Sequence, residues 1–362
     1  MPDLDQLLRE AAEMGASDLH LEEGSYPAVR FEGHIEFLDY DILTAEQMEE
    51  MIVPIMTEDE YQTYVTCGDV DFSYDIPGFS RFRVNALFHY RGRGAVFRVI
   101  PNDIPTIASM QLPPVLEEIA DLAKGLVLVT GPTGCGKSTT LAAMLRHINE
   151  TRKAHVITIE DPIEFVHPII KSYIEQRELG SHAKTYADAL RASLRESPDV
   201  VMVGEMRDLD TISQALRAAE TGHLVLATLH TNSASQTLAR VIDVFPPEEQ
   251  GQIRSLLSGA LRAVICQQLL PRAGGGRVAA MEIMRVNMSV AGLIREGKTS
   301  QLRTFMMMGR DEGMQTLDLH LSYLVHKHEI AMETALSYCT EQEVILRHNE
   351  LFARRASDRL AK

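Results

Sequence analysis

The sequence predicts an α/β protein in which a smaller α+β domain precedes a larger domain built on a parallel sheet, with a helical subdomain at the end. The chain has 362 residues, which is more than one hydrophobic core usually needs. Apolar strand-like runs alternate with helical segments in its central part, and a proline-rich stretch separates this part from a different pattern before it. We expect an N-terminal domain at 1–100, a linker at 101–114, the α/β domain at 115–286 and the helical subdomain at 287–362.

The N-terminal domain is predicted to begin with a helix and to continue as a sheet. Apolar residues recur at helical spacing from Leu4 onward, and Gly15 ends this helix before a strand-like alternation at 17–21. Alternation over 81–88 and 95–100 predicts a hairpin, with its glycine turn in segment 91–94. Capping-box spacing predicts two short helices, which begin at Thr44 with Gln47 and at Thr57 with Glu60.

The boundary and the strands of the α/β domain follow from proline and from apolar runs. The linker holds four prolines, too many for a helix interior: Pro101, Pro105, Pro113 and Pro114. Uninterrupted apolar runs predict strands that are buried on both faces, as in a parallel sheet covered by helices. These runs are Leu126 to Val129, Val156 to Ile159, Val200 to Val203 and Leu224 to Ala227.

Charge and composition exclude several classes of protein. Lys and Arg number 35 against 51 Asp and Glu, which leaves a formal charge of −16 and disfavours a nucleic-acid binder. No Cys-x-x-Cys pair occurs among the cysteines, so we expect reduced thiols rather than a zinc ribbon or a disulfide framework: Cys67, Cys135, Cys266 and Cys339. No signal peptide and no apolar run of about 18 residues is found, which predicts a cytoplasmic protein without direct membrane insertion.

A phosphate-binding loop stands between a predicted strand and a predicted helix. Its glycines let successive backbone N–H groups curl around phosphate oxygens at a helix N-terminus. Lys137 is suited to the β and γ phosphates, and Ser138 to Mg²⁺. The expected cofactors are therefore ATP and Mg²⁺, held by Gly131, Pro132, Thr133, Gly134, Cys135, Gly136, Lys137, Ser138 and Thr139.

Acidic residues and a histidine follow other predicted strands. Glu205 is the acid at the end of segment 199–205, a buried strand, from where a carboxylate reaches the metal or the attacking water, and it is the first choice for catalysis. Glu160 is a second candidate, whereas local turn or capping roles explain Asp161 and Glu164 as well as catalysis does, and the division of roles among these acids stays open. His230 follows the strand 224–227, at the end where parallel sheets place ligand-sensing residues.

Taken in order, four segments resemble the Walker A, Asp box, Walker B and His box of the ATPases that power type II secretion and type IV pili. They are 131–138, 157–165, 198–208 and 221–231. Residues 15–21 look like the start of that family's PAS-like N-terminal domain. The resemblance thus spans almost the whole chain and implies a RecA-like ATPase domain.

Within the family, this chain is similar to the pilus-retraction branch. From its pattern we expect neither the additional N-terminal domain nor the four-cysteine zinc site of many assembly and secretion members. The resemblance implies a homo-hexamer with ATP between subunits, an inner-membrane pilus platform protein as partner, and a paralogous retraction ATPase as a further partner. It also implies arginines that act on a neighbouring subunit's nucleotide, here Arg83 and Arg98, with Arg81 as a weaker candidate.

One departure from the retraction pattern concerns a helix near the C-terminus. Retraction members have an Arg-Asn pair where this chain has Ala291 and Gly292, whereas the Leu-Ile-Arg-Glu that follows is retained. This predicts intact hydrolysis with weaker coupling to the pilus machine, as in an accessory branch of retraction motors. The alternatives are a type II secretion or pilus assembly ATPase, a RecA-like nucleic-acid translocase, and a ring subunit that binds ATP without hydrolysing it.

Overall fold

The computed structural model describes residues 3–101 and 103–349. They divide into two compact units. The first unit runs to Asp103 and also contains Glu164–Val166, whereas the second contains Ile104–Ile163 and continues from His167. No helix among the described residues is long and apolar enough to cross a bilayer.

The first unit is an antiparallel sheet with helices, as expected for an α+β domain. Its described strands, in the order β3-β2-β1-β6-β5-β4, are β1 Asp18–Glu22, β2 Ala28–Phe31, β3 His34–Phe37, β4 Asp69–Ile76, β5 Ser80–His89 and β6 Gly92–Ile100. The helices are α1 Leu4–Glu13, α2 Ala45–Ile52 and α3 Glu58–Cys67. Both predicted capping boxes are confirmed. The side-chain oxygens of Thr44 and Thr57 each accept a hydrogen bond from the backbone N–H of the third helical residue, and the side chain of that residue accepts one from the backbone N–H of the threonine.

The hairpin of β5 and β6 is confirmed, but the predicted position of its turn is wrong. The turn consists of Tyr90 and Arg91, because Gly92 already pairs with His89 across the two strands. Gly92 has a φ of 137°, and a Cβ there would collide with the Glu23 side chain. The glycine is therefore needed for close approach at the start of a strand rather than for the turn itself.

The second unit is built on a mostly parallel sheet. Its described strands, in the order β13-β12-β7-β11-β10-β8-β9, are β7 Gly125–Thr130, β8 His155–Glu160, β9 Tyr173–Glu178, β10 Val200–Val203, β11 Leu224–Leu229, β12 Leu261–Pro271 and β13 Arg277–Arg285. The helices up to β12 are α4 Val115–Ala120, α5 Lys137–Thr151, α6 Tyr186–Ser193, α7 Leu209–Glu220, α8 Ala234–Asp243 and α9 Gln250–Ala260. The four strands predicted from apolar runs are confirmed as β7, β8, β10 and β11.

Helices cover both faces of this sheet because alternate residues of its strands point to opposite sides. Along β7, Leu126 and Leu128 pack in one core cluster with α6, α7, α8 and α9. Val127 and Val129 pack in a second cluster with α4 and α5. The predicted α/β fold class, a RecA-like sheet with helices on both sides, is confirmed.

The chain after β13 is helical over most of its described length. It contains α10 Met288–Glu296, α11 Leu302–Met308, α12 Leu317–His326 and α13 Met332–Tyr338, and residues 342–349 are helical as well. Leu317, Leu321 and Leu324 of α12 form a small core with Val278 and Ala280 of β13. Helix α12 thus packs on β13, the edge strand of the second unit's sheet, whereas Val290 and Ile294 of α10 belong to the core cluster with α7, α8 and α9.

Candidate active site

The glycine loop joins β7 to α5 and has a backbone that only glycine adopts readily at three positions. Gly131, Gly134 and Gly136 have φ values of 144°, 76° and 88°. A Cβ on Gly131 would collide with the Gln267 carbonyl oxygen and would lie 2.7 Å from Cys135 Sγ. The loop therefore lies tightly against β12, and its glycines are required by geometry as well as by phosphate approach.

Lys137 lies buried at the first position of α5 and turns back over the loop. Its Nζ donates to the carbonyl oxygens of Gly131 at 2.9 Å and Pro132 at 3.1 Å. The same Nζ lies 3.4 Å from Nδ1 of His230, which follows β11. The ammonium is thus held at the mouth of the loop, where it can exchange these carbonyls for phosphate oxygens.

Glu205 lies two residues after β10, and two cationic or donor groups contact its carboxylate. His230 Nε2 is 3.0 Å from Glu205 Oε1, and Arg207 donates to Oε2 at 2.7 Å. A neutral imidazole with its proton on Nε2 donates to Glu205 and leaves Nδ1 free to accept from Lys137. The structure therefore brings Lys137, His230 and Glu205 into one connected line.

Two opposing effects act on the Glu205 carboxyl. Burial by itself would raise the pKa of Glu205, but Arg207 and His230 outweigh burial and hold that pKa below its ordinary value. Glu205 is therefore ionised at neutral pH and available as a base or as a water-orienting acceptor.

Glu160 is buried at the end of β8, on the strand next to β10. Its Oε1 accepts from Thr158 Oγ1 at 2.6 Å and from Gln176 Nε2 at 3.1 Å. The backbone N–H of Gly204, just before Glu205, donates to the carbonyl of Ile159 at 2.8 Å. The two candidate acids thus follow adjacent parallel strands and lie at the same edge of the sheet.

Tyr186, which no sequence pattern singled out, also lies beside these acids. A Cβ on Gly204 would lie 3.0 Å from the Tyr186 hydroxyl. Burial, followed by the negative charges of Asp161 and Glu205, raises the pKa of Tyr186 well above its usual range. The tyrosine is therefore a neutral hydroxyl next to the carboxylates.

Gln267 and Thr140 form a second contact to the loop that the sequence did not indicate. Gln267 Oε1 accepts from Thr140 Oγ1 at 2.7 Å, and Gln267 Nε2 donates to the Cys135 carbonyl at 2.6 Å. Both residues are buried. A glutamine inside an otherwise apolar strand indicates a buried polar contact, but the sequence cannot give its partners because they depend on the pairing of β12 with β7.

The donor set at the loop fits Mg²⁺ that is carried by phosphate and water. Ser138 is the second residue of α5, directly after Lys137. Among the described residues, no three His, Cys, Asp or Glu side chains converge as metal ligands. Because Mg²⁺ keeps several waters and binds substrate phosphates beside one or two protein oxygens, a hydroxyl with nearby acids suits this ion.

The candidate arginines of the first unit lie on paired strands. Arg83 of β5 is directly opposite Arg98 of β6. Arg98 Nε donates to the buried Asp18 at 2.8 Å, yet 65% of the Arg98 side chain is exposed. The Arg83 side chain is 44% exposed and lies 3.9 Å from Asp71, whereas that of Arg81 is only 15% exposed and pairs with Asp75 at 3.1 Å.

His223 and the two buried cysteines, Cys135 and Cys266, have structural surroundings. His223 precedes β11 at the opposite end from His230, and its Nδ1 lies 3.0 Å from the carbonyl oxygen of Ala218 at the end of α7. All four cysteines of the chain are free thiols. Burial raises the pKa of Cys266 to about 12 and also raises the pKa of Cys135, so neither is a reactive thiolate.

This loop, whose lysine is linked through a histidine to an acid that follows β10 of a RecA-like sheet, defines a P-loop ATPase. More narrowly, the chain belongs to the type II/IV secretion system protein family, whose model matches residues 1–349.

Two curated relatives and one solved structure are among the most similar proteins. The chain is 48% identical over 333 residues to the type IV pilus retraction ATPase PilT of Pseudomonas aeruginosa, covering 92% of this chain and 97% of the relative. It is 38% identical over 337 residues to the type IV pilus ATPase PilU of the same organism, covering 93% and 88%. The crystal structure of the pilus retraction motor PilT with bound ADP matches with a TM-score of 0.89 and 45% identity, covering 96% of this chain and 100% of that one.

Proposed function

We propose that this chain is a Mg²⁺-dependent ATPase that drives retraction of a type IV pilus and thereby twitching motility. The observation that carries the proposal is the line from Lys137 through His230 to Glu205, because it links the phosphate-binding group to the catalytic acid. The high identity to PilT over nearly the full length of both chains supports the choice of retraction. The net charge of −16 argues against a nucleic-acid translocase.

In this proposal the loop Gly131–Thr139 surrounds the phosphates of ATP and binds them through its backbone N–H groups, except at Pro132, which has none. Lys137 leaves the carbonyls of Gly131 and Pro132 and binds the β and γ phosphates. Ser138 would hold Mg²⁺, whose charge offsets that of the phosphates when it is bound. Glu205, ionised and oriented by His230 and Arg207, orients the attacking water and accepts its proton.

His230 and Glu160 support this chemistry in different ways. His230 changes its Nδ1 partner when Lys137 moves to phosphate, so it reports nucleotide occupancy to Glu205. Glu160 polarises water or holds Mg²⁺ through the ion's hydration shell, while Thr158 and Gln176 fix its carboxylate. Asp161 adds negative charge at the same edge, as its effect on Tyr186 indicates.

The working form is proposed to be a homo-hexamer with ATP between subunits. Arg83 and Arg98 of one chain would stabilise charge on the γ-phosphate bound by its neighbour, as arginine fingers do. The exposure of both guanidinium-bearing side chains supports this, since each is available to a second chain. Arg81 is a poorer choice because its side chain is mostly buried.

A retraction motor must act on other proteins of the pilus machine, and two partners are proposed here. We propose an inner-membrane pilus platform protein on the cytoplasmic side as the immediate partner, and a paralogous retraction ATPase as a companion. The coexistence of PilT and PilU in one relative's organism supports a companion motor. The domain limits proposed for this machine are a PAS-like domain at 1–100, a linker at 101–114, a RecA-like domain at 115–286 and a helical subdomain at 287–362.

A deletion strain tests the proposed function. Loss of the gene should abolish twitching and leave cells with longer or more numerous pili, and complementation with the wild-type chain should restore both. The Lys137→Ala chain, expressed to the same level, should restore neither. Bald cells would indicate an assembly motor, and normal piliation with a secretion defect would indicate a type II secretion ATPase.

A further inference from the structure

Gln267 contacts the glycine loop at both of its ends. The last paired positions of β12 and β7 are Cys266 and Thr130, so Gln267 stands beside Gly131, where the loop begins. Its backbone carbonyl occupies the space that a Cβ on Gly131 would need. Its side chain reaches Cys135 at the far end of the loop and Thr140 in the first turn of α5.

The orientation of the Gln267 amide is determined by its partners. A carbonyl oxygen only accepts, so the NH₂ group of Gln267 must face Cys135, and the amide oxygen is left to accept from Thr140. Gln267 is 2% exposed, which removes water as a competing partner. A Cβ on Gly136 would lie 3.0 Å from Nε2, so this amide also lies against the last glycine of the loop.

The bond to Cys135 has a consequence for phosphate binding. In a planar trans peptide the C=O and the following N–H point in opposite directions. When the Cys135 carbonyl is drawn toward Gln267, the N–H of Gly136 is turned away from β12 and toward the concave side of the loop. Gly136 directly precedes α5, where the helix N-terminus favours anions.

We propose that Gln267 is a positioning residue for nucleotide binding: its amide pins the Cys135 peptide so that the Gly136 N–H faces the phosphates. The inference rests on the proposed function, since it presupposes that the loop binds a nucleotide. Gln267 does not touch the reacting atoms. It acts through the loop backbone, and Thr140 keeps its amide in the required orientation.

Gln267→Glu distinguishes positioning from simple packing because the two side chains have nearly the same shape. Ionised, the carboxylate presents an acceptor to the Cys135 carbonyl and repels it. Protonated, the carboxylic acid donates to that carbonyl and still accepts from Thr140. Burial disfavours the charged form and raises the pKa of such a carboxyl toward the neutral range. The variant should therefore bind nucleotide in a pH-dependent way that a packing defect would not produce.

The experiment measures the ADP dissociation constant of the full-length wild type and of Gln267→Glu from about pH 5.5 to about pH 8.5, each compared at the same pH. We expect binding by the variant to be weaker about tenfold or more at the high end and within a few-fold of wild type at the low end. Gln268→Glu is the matched control, because this neighbouring glutamine points to the other side of β12. A ratio that stays constant with pH, or the same pH dependence in Gln268→Glu, would overturn the proposal.

Thr140→Val provides an independent arm if Gln267→Glu does not fold. It removes the hydroxyl that holds Gln267 Oε1, and we expect ADP binding to weaken several-fold, whereas Thr140→Ser keeps the donor and should bind like wild type. Equal affinity of all three proteins would contradict the role of Gln267. A wild-type protein that does not bind ADP at any pH would instead contradict the proposed function.

Discussion

His230 lies between Lys137 and Glu205, with its Nε2 3.0 Å from Glu205 Oε1. The ring's other nitrogen lies 3.4 Å from Lys137 Nζ. One imidazole therefore joins β11 to the loop after β7 and to the strand end of β10. In the proposed mechanism Lys137 releases His230 when it binds phosphate, so we expect nucleotide binding to change the environment of Glu205.

Lys137 and Glu205 should have separable effects on binding and turnover. Lys137→Ala removes the charge that faces the β and γ phosphates and should weaken ATP binding roughly hundredfold. Glu205→Gln keeps the shape but removes the base, so kcat should fall by about 10² to 10⁴ while ATP affinity changes little. Isothermal titration and a phosphate-release assay measure the two. Normal hydrolysis by Glu205→Gln would remove Glu205 from the catalytic role.

His230→Phe should reduce turnover more than affinity. Loss of a hydrogen bond to an ionised carboxylate is worth about 1.5–3 kcal/mol, which corresponds to a fall in kcat of roughly tenfold to hundredfold. His223→Phe is the control, since His223 lies at the other end of β11 and bonds only locally. The relay is contradicted if both variants keep the wild-type kcat, or if His230→Phe weakens ATP binding as strongly as it slows turnover.

Arg83 and Arg98 should act in trans. Rings of Arg98→Ala chains alone and of Lys137→Ala chains alone should be inactive, whereas mixed rings should recover part of the activity at interfaces where both residues are intact. Because Arg98 also pairs with buried Asp18, the thermal stability of Arg98→Ala must be measured beside its activity. Mixed rings that form and remain inactive would show that the arginines do not act across subunits.

Positions 291 and 292 of α10 should affect coupling rather than hydrolysis. A Cβ at Gly292 would meet no atom within 4 Å, so a side chain can begin there without a clash, and the test pair is Ala291→Arg with Gly292→Asn. We expect this pair to increase twitching at an unchanged ATPase rate. Gly292→Ala is the control, because it raises helix propensity by about 1 kcal/mol without adding a polar group. Unchanged motility in the double variant, or an equal gain in motility in the double variant and in Gly292→Ala, would contradict a role of these positions in coupling.

His320 should make the second unit less stable in acid. Its Nδ1 accepts from the Met281 N–H, and burial lowers the pKa of His320 to about 4 from 6.5. Between these two pKa values His320 is protonated in the unfolded chain but neutral in the folded chain. The stability that is present above pH 6.5 is therefore lost as pH falls toward about 4.

This loss for His320 amounts to about 3 kcal/mol. His320→Gln keeps an acceptor and should flatten the fall in the urea unfolding free energy over that range. Equal slopes in the wild type and His320→Gln would contradict this assignment.

Local patterns were sufficient for the parts of the fold that depend on neighbouring residues. The two capping boxes and the strand-loop-helix order around Gly131 are encoded within a few residues, and the four central strands are uniformly apolar because helices cover both their faces. β9 was missed because it is an edge strand with mostly polar residues. β12 and β13 were missed because polar residues such as Gln267 and Glu282 interrupt their apolar runs.

The candidate site residues could be named one by one from the sequence, but their arrangement could not. Lys137, Glu160, Glu205 and His230 each lie at or beyond the carboxyl end of a strand, and parallel strands end at the same edge of a sheet. The contacts among them depend on strand order and on side-chain rotamers, which no local pattern encodes. Gln267, 130 positions after Lys137, approaches the loop only because β12 pairs with β7.

The most direct test of ATP-driven retraction is to follow individual labelled pili on living cells whose chromosomal copy carries Glu205→Gln. We predict that pili still extend but fail to retract, and that the purified variant still binds ATP without hydrolysing it. Retraction at the wild-type rate by cells that contain only the Glu205→Gln chain would contradict the claim that ATP hydrolysis at this site drives the pilus back into the cell.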